Sequence, residues 1–181
     1  MKLWLVRHAQ PLIAPGVCYG ATDVAADPQA TQQAAQALAL TLPKDTAVTS
    51  SPLQRCEQLA HCLQGLRPDL SYKTDSRLAE MNFGCWEGQR WDAIPQADYE
   101  RWTADFGEHC FGGVESSNQV LTRVASAWTE MQREARDAVW ITHAGVIRAA
   151  SLIARGVQQV EQATQWPQDA PGFGGWQSLE A

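Results

Sequence analysis

Arg7 and His8 stand together at the end of a short apolar run, Leu3 to Val6. A neutral imidazole can attack phosphorus and form a covalent phosphohistidine. An adjacent guanidinium holds phosphate oxygens through two parallel hydrogen bonds. Alone, the pair reads more simply as an exposed strand-end histidine beside a surface arginine. Other segments supply groups of the same kind. Arg55 falls in Ser50-Ser51-Pro52-Leu53-Gln54-Arg55, where Pro52 suits a helix start. A helix amino terminus already attracts anions, so an arginine in its first turn is unfavourable unless a negative group lies nearby. A solvated helix charge is the equally open alternative. His143, in Thr142-His143-Ala144-Gly145, is placed either to stabilise charge on a transferring phosphoryl group or to bond the backbone as a buried histidine. Glu80 and Glu87 lie in the glycine-punctuated segment Leu78 to Gly88. A carboxylic acid near a leaving oxygen protonates it and later takes a proton from water. Exposed loop carboxylates are the competing reading. His61 and His109 lack matched partners and read as structural or solvent-exposed.

The elements that must position these groups follow from apolar patterning and punctuation. Leu3–Val6, Ala47–Ser50, Ser71–Thr74 and Ala138–Thr142 read as short buried strands. Pro28–Leu42 has strong helix propensity and ends at Pro43. Leu53–Leu63 and Gly145–Arg155 read as helices, and Trp91–Phe106 as broken helix. Ser116–Ala135 is the clearest helix. Ser116 and Gln119 suit a capping box, and Val120, Val124, Trp128 and Met131 recur at helical spacing. Alternating strands and helices predict an α/β fold, with a largely parallel central sheet. Ligands of such sheets bind at the carboxyl ends of the strands. Arg7-His8, Ser50-Ser51 and Thr142-His143 all fall at such ends, and this convergence outweighs any one residue. The tail from Asp169 to Trp176 reads as a flap near the site or as a connection to a last strand.

Bulk properties narrow the classes. The 181 residues, 45% apolar and 19% charged, suit one domain spanning 1–181. A net charge of −6 supplies no general attraction to nucleic acid or a membrane surface, so a small-molecule partner is expected. No apolar run approaches the ~20 residues of a membrane span. The opening Met1 to Val6 lacks the long apolar core of a signal peptide, which predicts a cytoplasmic protein. The five cysteines are scattered and form no CxxC pair, so free thiols are expected and a zinc site is not.

With these segments in view, the chain resembles the histidine phosphatase superfamily, also called phosphoglycerate mutase-like. The resemblance runs from Leu3 to about Arg148. It rests on Leu5-Val6-Arg7-His8-Ala9, Ser50 to Cys56, Leu78 to Gly88, Gly112 to Ser116 and Thr142 to Arg148, in the family's order. It implies a three-layer α/β/α fold and hydrolysis of a phosphomonoester without cofactor or metal. It also implies His8 as nucleophile, Arg7, Arg55 and His143 as the phosphate pocket, and Glu80 as proton donor, with Glu87 as the fallback. One position departs: the family usually has glycine after the nucleophile, and this chain has Ala9. Alanine tolerates positive φ less well than glycine.

Cys18-Tyr19-Gly20-Ala21-Thr22-Asp23 is similar to a stretch of the α-ribazole phosphatases, which act late in cobalamin assembly. In that reading Thr22 donates to the phosphate and Tyr19 offers an aromatic face to a base. In the plainer reading the segment is a structural turn, with Asp23 capping the next element. Trp86, Trp91 and Trp166 are candidates for an aromatic wall. A phosphoglycerate mutase and a non-catalytic phosphate-binding protein on the same fold are the alternatives.

Overall fold

The computed structural model describes residues 1–180. Five strands, β1 (Lys2–Arg7), β2 (Ala47–Ser50), β3 (Tyr72–Thr74), β4 (Ala138–Thr142) and β5 (Trp176–Glu180), form one sheet in the order β3-β2-β4-β1-β5. Strands β1 to β4 run parallel and β5 pairs antiparallel with β1. Helices α1 (Pro28–Thr41), α2 (Gln54–Leu66), α3 (Gln96–Ala104), α4 (Ser117–Glu134) and α5 (Ala144–Ile153) complete the fold.

The central strands are apolar throughout because both sheet faces are covered. In β1, Leu3 and Leu5 join a core with α4 and α5, while Trp4 and Val6 join a second core with α1 and α2. In β4, Ala138 and Trp140 enter the first core, Val139 and Ile141 the second. This alternation makes the three-layer α/β/α architecture.

Local signals work largely as the sequence predicts. Ser116 caps α4, and Gln119 returns the bond, a complete capping box. Asp27 caps α1. The broken helix of residues 91–106 is a single 3₁₀ turn, Trp91–Ala93, then Pro95 as the cap of α3. Two expectations need correction. Helix α2 starts at Gln54 and runs to Leu66, beyond the expected end at Leu63, with Pro52 outside it. Asp23 does not cap the next element, α1, which Asp27 caps; its carboxylate accepts from the backbone N–H of Gln54, so it caps α2 at long range.

Two interactions fix the loop after β3. The Thr142 hydroxyl donates to the Leu78 carbonyl at 2.7 Å in the core. Arg123 pairs with Glu115 and donates to the carbonyls of Arg77 and Ala79. Thr142→Val leaves a buried carbonyl without its donor, so a loss of about 1–3 kcal/mol is expected in urea unfolding.

Candidate active site

Strand register assembles the site. Arg7 lies opposite Thr142, and Ser50 opposite Ile141. Just past these pairs the backbone N–H of His8 donates to the Thr142 carbonyl at 3.0 Å, and that of Ser51 to the Ile141 carbonyl at 2.9 Å. His8, Ser51 and His143 therefore emerge side by side at the carboxyl edge of three parallel strands, as ligand sites of such sheets do. The two imidazole centroids are 5.1 Å apart.

His8 is buried, and its Nδ1 lies 2.7 Å from the Ala9 carbonyl. A carbonyl only accepts, so Nδ1 carries the proton and Nε2 keeps its lone pair. Burial lowers the His8 pKa to about 3; the Ala9 carbonyl opposes this, while Arg55 and Arg7 add to it. The His8 ring is thus neutral near neutrality. Ala9 itself is buried, and the non-glycine residues with positive φ are Asp45 and Ala135. Its backbone does not need the conformation that glycine favours, which explains why alanine fits.

Arg55 is fully buried. It donates to the carbonyls of Gly20 (2.6 Å) and Thr22 (2.8 Å), and its Nε donates to Nδ1 of His143 (3.3 Å). The His143 proton must then sit on Nε2, which donates to the Ser51 hydroxyl at 2.8 Å. Burial, then Arg55 and His8, push the His143 pKa well down. Ser51, which the sequence marks only as part of a polar strand-end cluster, orients His143.

The loop from Cys18 to Asp23 is built into this network. A side chain at Gly20 would collide with the Met81 carbonyl and the Phe83 ring, so only glycine permits the close approach. Thr22 is exposed; its hydroxyl and N–H both bond Glu87, and its carbonyl receives Arg55. Tyr19 lies over Arg55, with the guanidinium carbon 5.2 Å from its ring centre.

The two loop carboxylates differ. Glu87 accepts from the backbone N–H groups of Ala21, Phe83 and Thr22 and from the Thr22 hydroxyl. Burial raises its pKa, but the Thr22 and backbone bonds outweigh that and hold it below the ordinary 4.5. A carboxylate held ionised by several donors is a clamp and a poor proton donor. Glu80 instead accepts from the N–H of Met81 (2.9 Å) and of Gly145 (3.1 Å) at the amino end of α5. A side chain at Gly145 would strike the Glu80 carboxyl, so glycine keeps that place open.

The tail both borders the site and leads into β5. Gly174 donates to the backbone carbonyls of Arg7 and His8, and Arg7 donates to the Pro171 carbonyl at 3.1 Å. The Phe173 ring lies 3.9 Å from the Arg7 guanidinium carbon and 5.5 Å from the His8 ring. No local pattern marks Phe173; only the antiparallel return of β5 brings it there. His61 is exposed and His109 half-buried, both on other segments. Among the described residues, no group of three or more His, Cys, Asp or Glu side chains is arranged to hold a metal. Among the same residues, no helix is long and apolar enough to cross a membrane.

Residues 3–171 match the family described as "Histidine phosphatase superfamily (branch 1)". The chain belongs to this superfamily. Among solved structures of similar fold is a mycobacterial glucosyl-3-phosphoglycerate phosphatase in complex with VO3. It is 25% identical, with a TM-score of 0.80, over 99% of this chain and 92% of that one. Another is TTHB049 from Thermus thermophilus, 28% identical with a TM-score of 0.71, over 99% and 94% of the two chains. No curated protein sequence matches the chain. In this histidine phosphatase, Arg7, His8, Arg55, Glu80 and His143 gather at one sheet edge, and the Thr22 hydroxyl is engaged by Glu87.

Two outcomes are expected. In an NMR titration, the His8 imidazole stays neutral at pH 5 with its proton on Nδ1; a midpoint at the ordinary 6.5 contradicts the burial argument. Glu87→Gln costs about 1–3 kcal/mol at pH 7, because the amide offers one acceptor oxygen in place of two. A lowered folded-state pKa contributes stability above the unfolded value that is lost as pH falls through the folded one. The gap between wild type and Glu87→Gln in urea midpoint therefore narrows below about pH 4.5.

Proposed function

We propose that this protein hydrolyses phosphomonoesters through a covalent phosphohistidine on His8. The observation that carries the reading is the pinning of His8 Nδ1–H by the Ala9 carbonyl, which leaves the Nε2 lone pair available beside two arginines. Nε2 attacks phosphorus, and the bond to the alcohol oxygen breaks. Glu80, protonated, delivers its proton to that oxygen. Water then attacks phosphohistidine, Glu80 takes a proton from it, and inorganic phosphate leaves with the His8 lone pair restored.

In this reading Arg7, Arg55 and His143 hold the equatorial oxygens, whose charge grows in the transition state. The Arg7 Nε is buried and without an acceptor, as a group waiting for a phosphate oxygen would be. The Thr22 backbone carbonyl helps to hold Arg55, so Thr22 contributes to the pocket by positioning.

Within this activity we propose α-ribazole 5′-phosphate as the substrate. Support comes from the Cys18–Asp23 stretch and from Tyr19, whose ring faces the arginine pocket while its neighbours are engaged in loop bonds. A kcat/KM for this ester about tenfold or more above a panel of other monoesters is expected, and a flat profile defeats the substrate assignment.

Turnover of p-nitrophenyl phosphate in EDTA tests the chemistry. His8→Ala is expected to lose at least about 10³-fold in kcat, and acid-labile phosphate to appear on the wild-type protein alone during turnover. Full activity of His8→Ala ends the nucleophile assignment. Glu80→Gln is expected to lower kcat about 10²- to 10⁴-fold for alkyl esters. It should have less effect on p-nitrophenyl phosphate, whose leaving group needs little protonation.

A further inference from the structure

Beside Glu80 lies a cavity of about 320 Å³, within the size range of small-molecule sites. Its walls are mainly apolar and include the rings of Phe83, Trp91, Trp102, Phe106 and Trp166. The rings form a continuous surface. Phe83 meets Trp91 edge-on at 5.3 Å, Trp102 stacks on Phe106 at 5.5 Å, and Phe106 meets Trp166 edge-on at 5.9 Å. Glu80 and Gly145 also line the cavity, so it opens directly beside the carboxyl assigned to leaving-group protonation.

Two polar groups distinguish this cavity from a packing defect. Arg148 and Trp102 both line it, and the Arg148 Nε and Trp102 Nε1 are buried with no acceptor. Buried donors nearly always find acceptors in native proteins. Both unmatched groups are donors, so a ligand that completes the site brings acceptor atoms. Another arm of Arg148, Nη2, is held at 2.9 Å by the Gln168 carbonyl, which fixes the guanidinium beside Trp166.

We infer that this cavity holds the alcohol portion of the substrate, and that it selects an alcohol carrying a flat aromatic or heteroaromatic ring with at least one hydrogen-bond acceptor. A small polyol could accept from the two donors but would leave the aromatic walls wet. The inference rests on the hydrolytic reading of His8 and Glu80. Arg148 and Trp166 act as specificity residues, one through its donor and one through its ring face.

Three esters test it: 4-methylumbelliferyl phosphate, flat with a lactone carbonyl; 1-naphthyl phosphate, flat without one; and glycerol 1-phosphate. Trp166→Ala is expected to cut kcat/KM about tenfold for both aryl esters and to leave the glycerol ester within about twofold. Arg148→Gln is expected to lower the 4-methylumbelliferyl ester about tenfold relative to the naphthyl ester. Leaving-group reactivity cancels in each variant-to-wild-type ratio. Equal losses on all three esters, or none, overturn the inference. If Trp166→Ala does not fold by circular dichroism, Trp91→Ala replaces it with the same expectation.

Should wild type turn over none of the esters, the hydrolytic reading fails and the cavity is judged by calorimetry. Tenfold weaker binding of 4-methylumbelliferyl phosphate to Trp166→Ala than to wild type supports the cavity as its site, whereas equal or absent binding overturns it.

Discussion

A buried guanidinium without an acidic partner organises this protein. Arg55 is fully enclosed, yet its hydrogen bonds go to two carbonyls and an imidazole and not to a carboxylate. Dipoles satisfy its N–H groups without cancelling its charge, and a buried charge left uncancelled is costly. Its partners come from two separate segments: the carbonyls from the Gly20–Thr22 loop, the imidazole from the end of β4. Helix α2 carries the arginine, and Asp23 from the same loop caps that helix. The fold thus stores positive potential at the place where an anion would arrive.

That potential propagates to the histidines. It adds to burial in keeping both imidazoles neutral. A neutral ring is the form that can act as a nucleophile, so the positive pocket also keeps His8 in the form that the proposed reaction needs. A bound phosphate dianion would reverse part of this field and favour protonation of the ring that does not attack. Hydrogen-bond direction then separates the two rings. His8 is pinned through Nδ1 by a carbonyl, whereas His143 accepts at Nδ1 from Arg55 and donates through Nε2 to Ser51. Two chemically identical side chains are assigned different roles by their neighbours.

The same division separates the two glutamates. Glu87 is surrounded by donors and ties two loops together. Glu80 meets two backbone N–H groups, lies against a glycine, and borders the aromatic cavity. Their shared loop is pinned by Arg123, Glu115 and Thr142, which hold the backbone at Leu78 and Ala79 and so fix the position of Glu80.

Much of this was readable without coordinates. Apolar runs bounded by polar residues located four strands, and the Ser116–Gln119 box located α4, because both signals are local. Arg7, His8, Arg55, Glu80 and His143 are singled out by order and element boundaries, which survive in one dimension. What the chain could not reveal were pairings across long separations. Glu87 looked like a spare acid until four donors were seen around it, and Thr22 like a phosphate ligand until its hydroxyl was found on Glu87. The tail that carries Phe173 reads either as a flap or as a strand connection, and the β5 return makes it both. Side-chain chemistry is written residue by residue; whether a group is free to react depends on which distant backbone groups saturate it, and only the tertiary structure decides that.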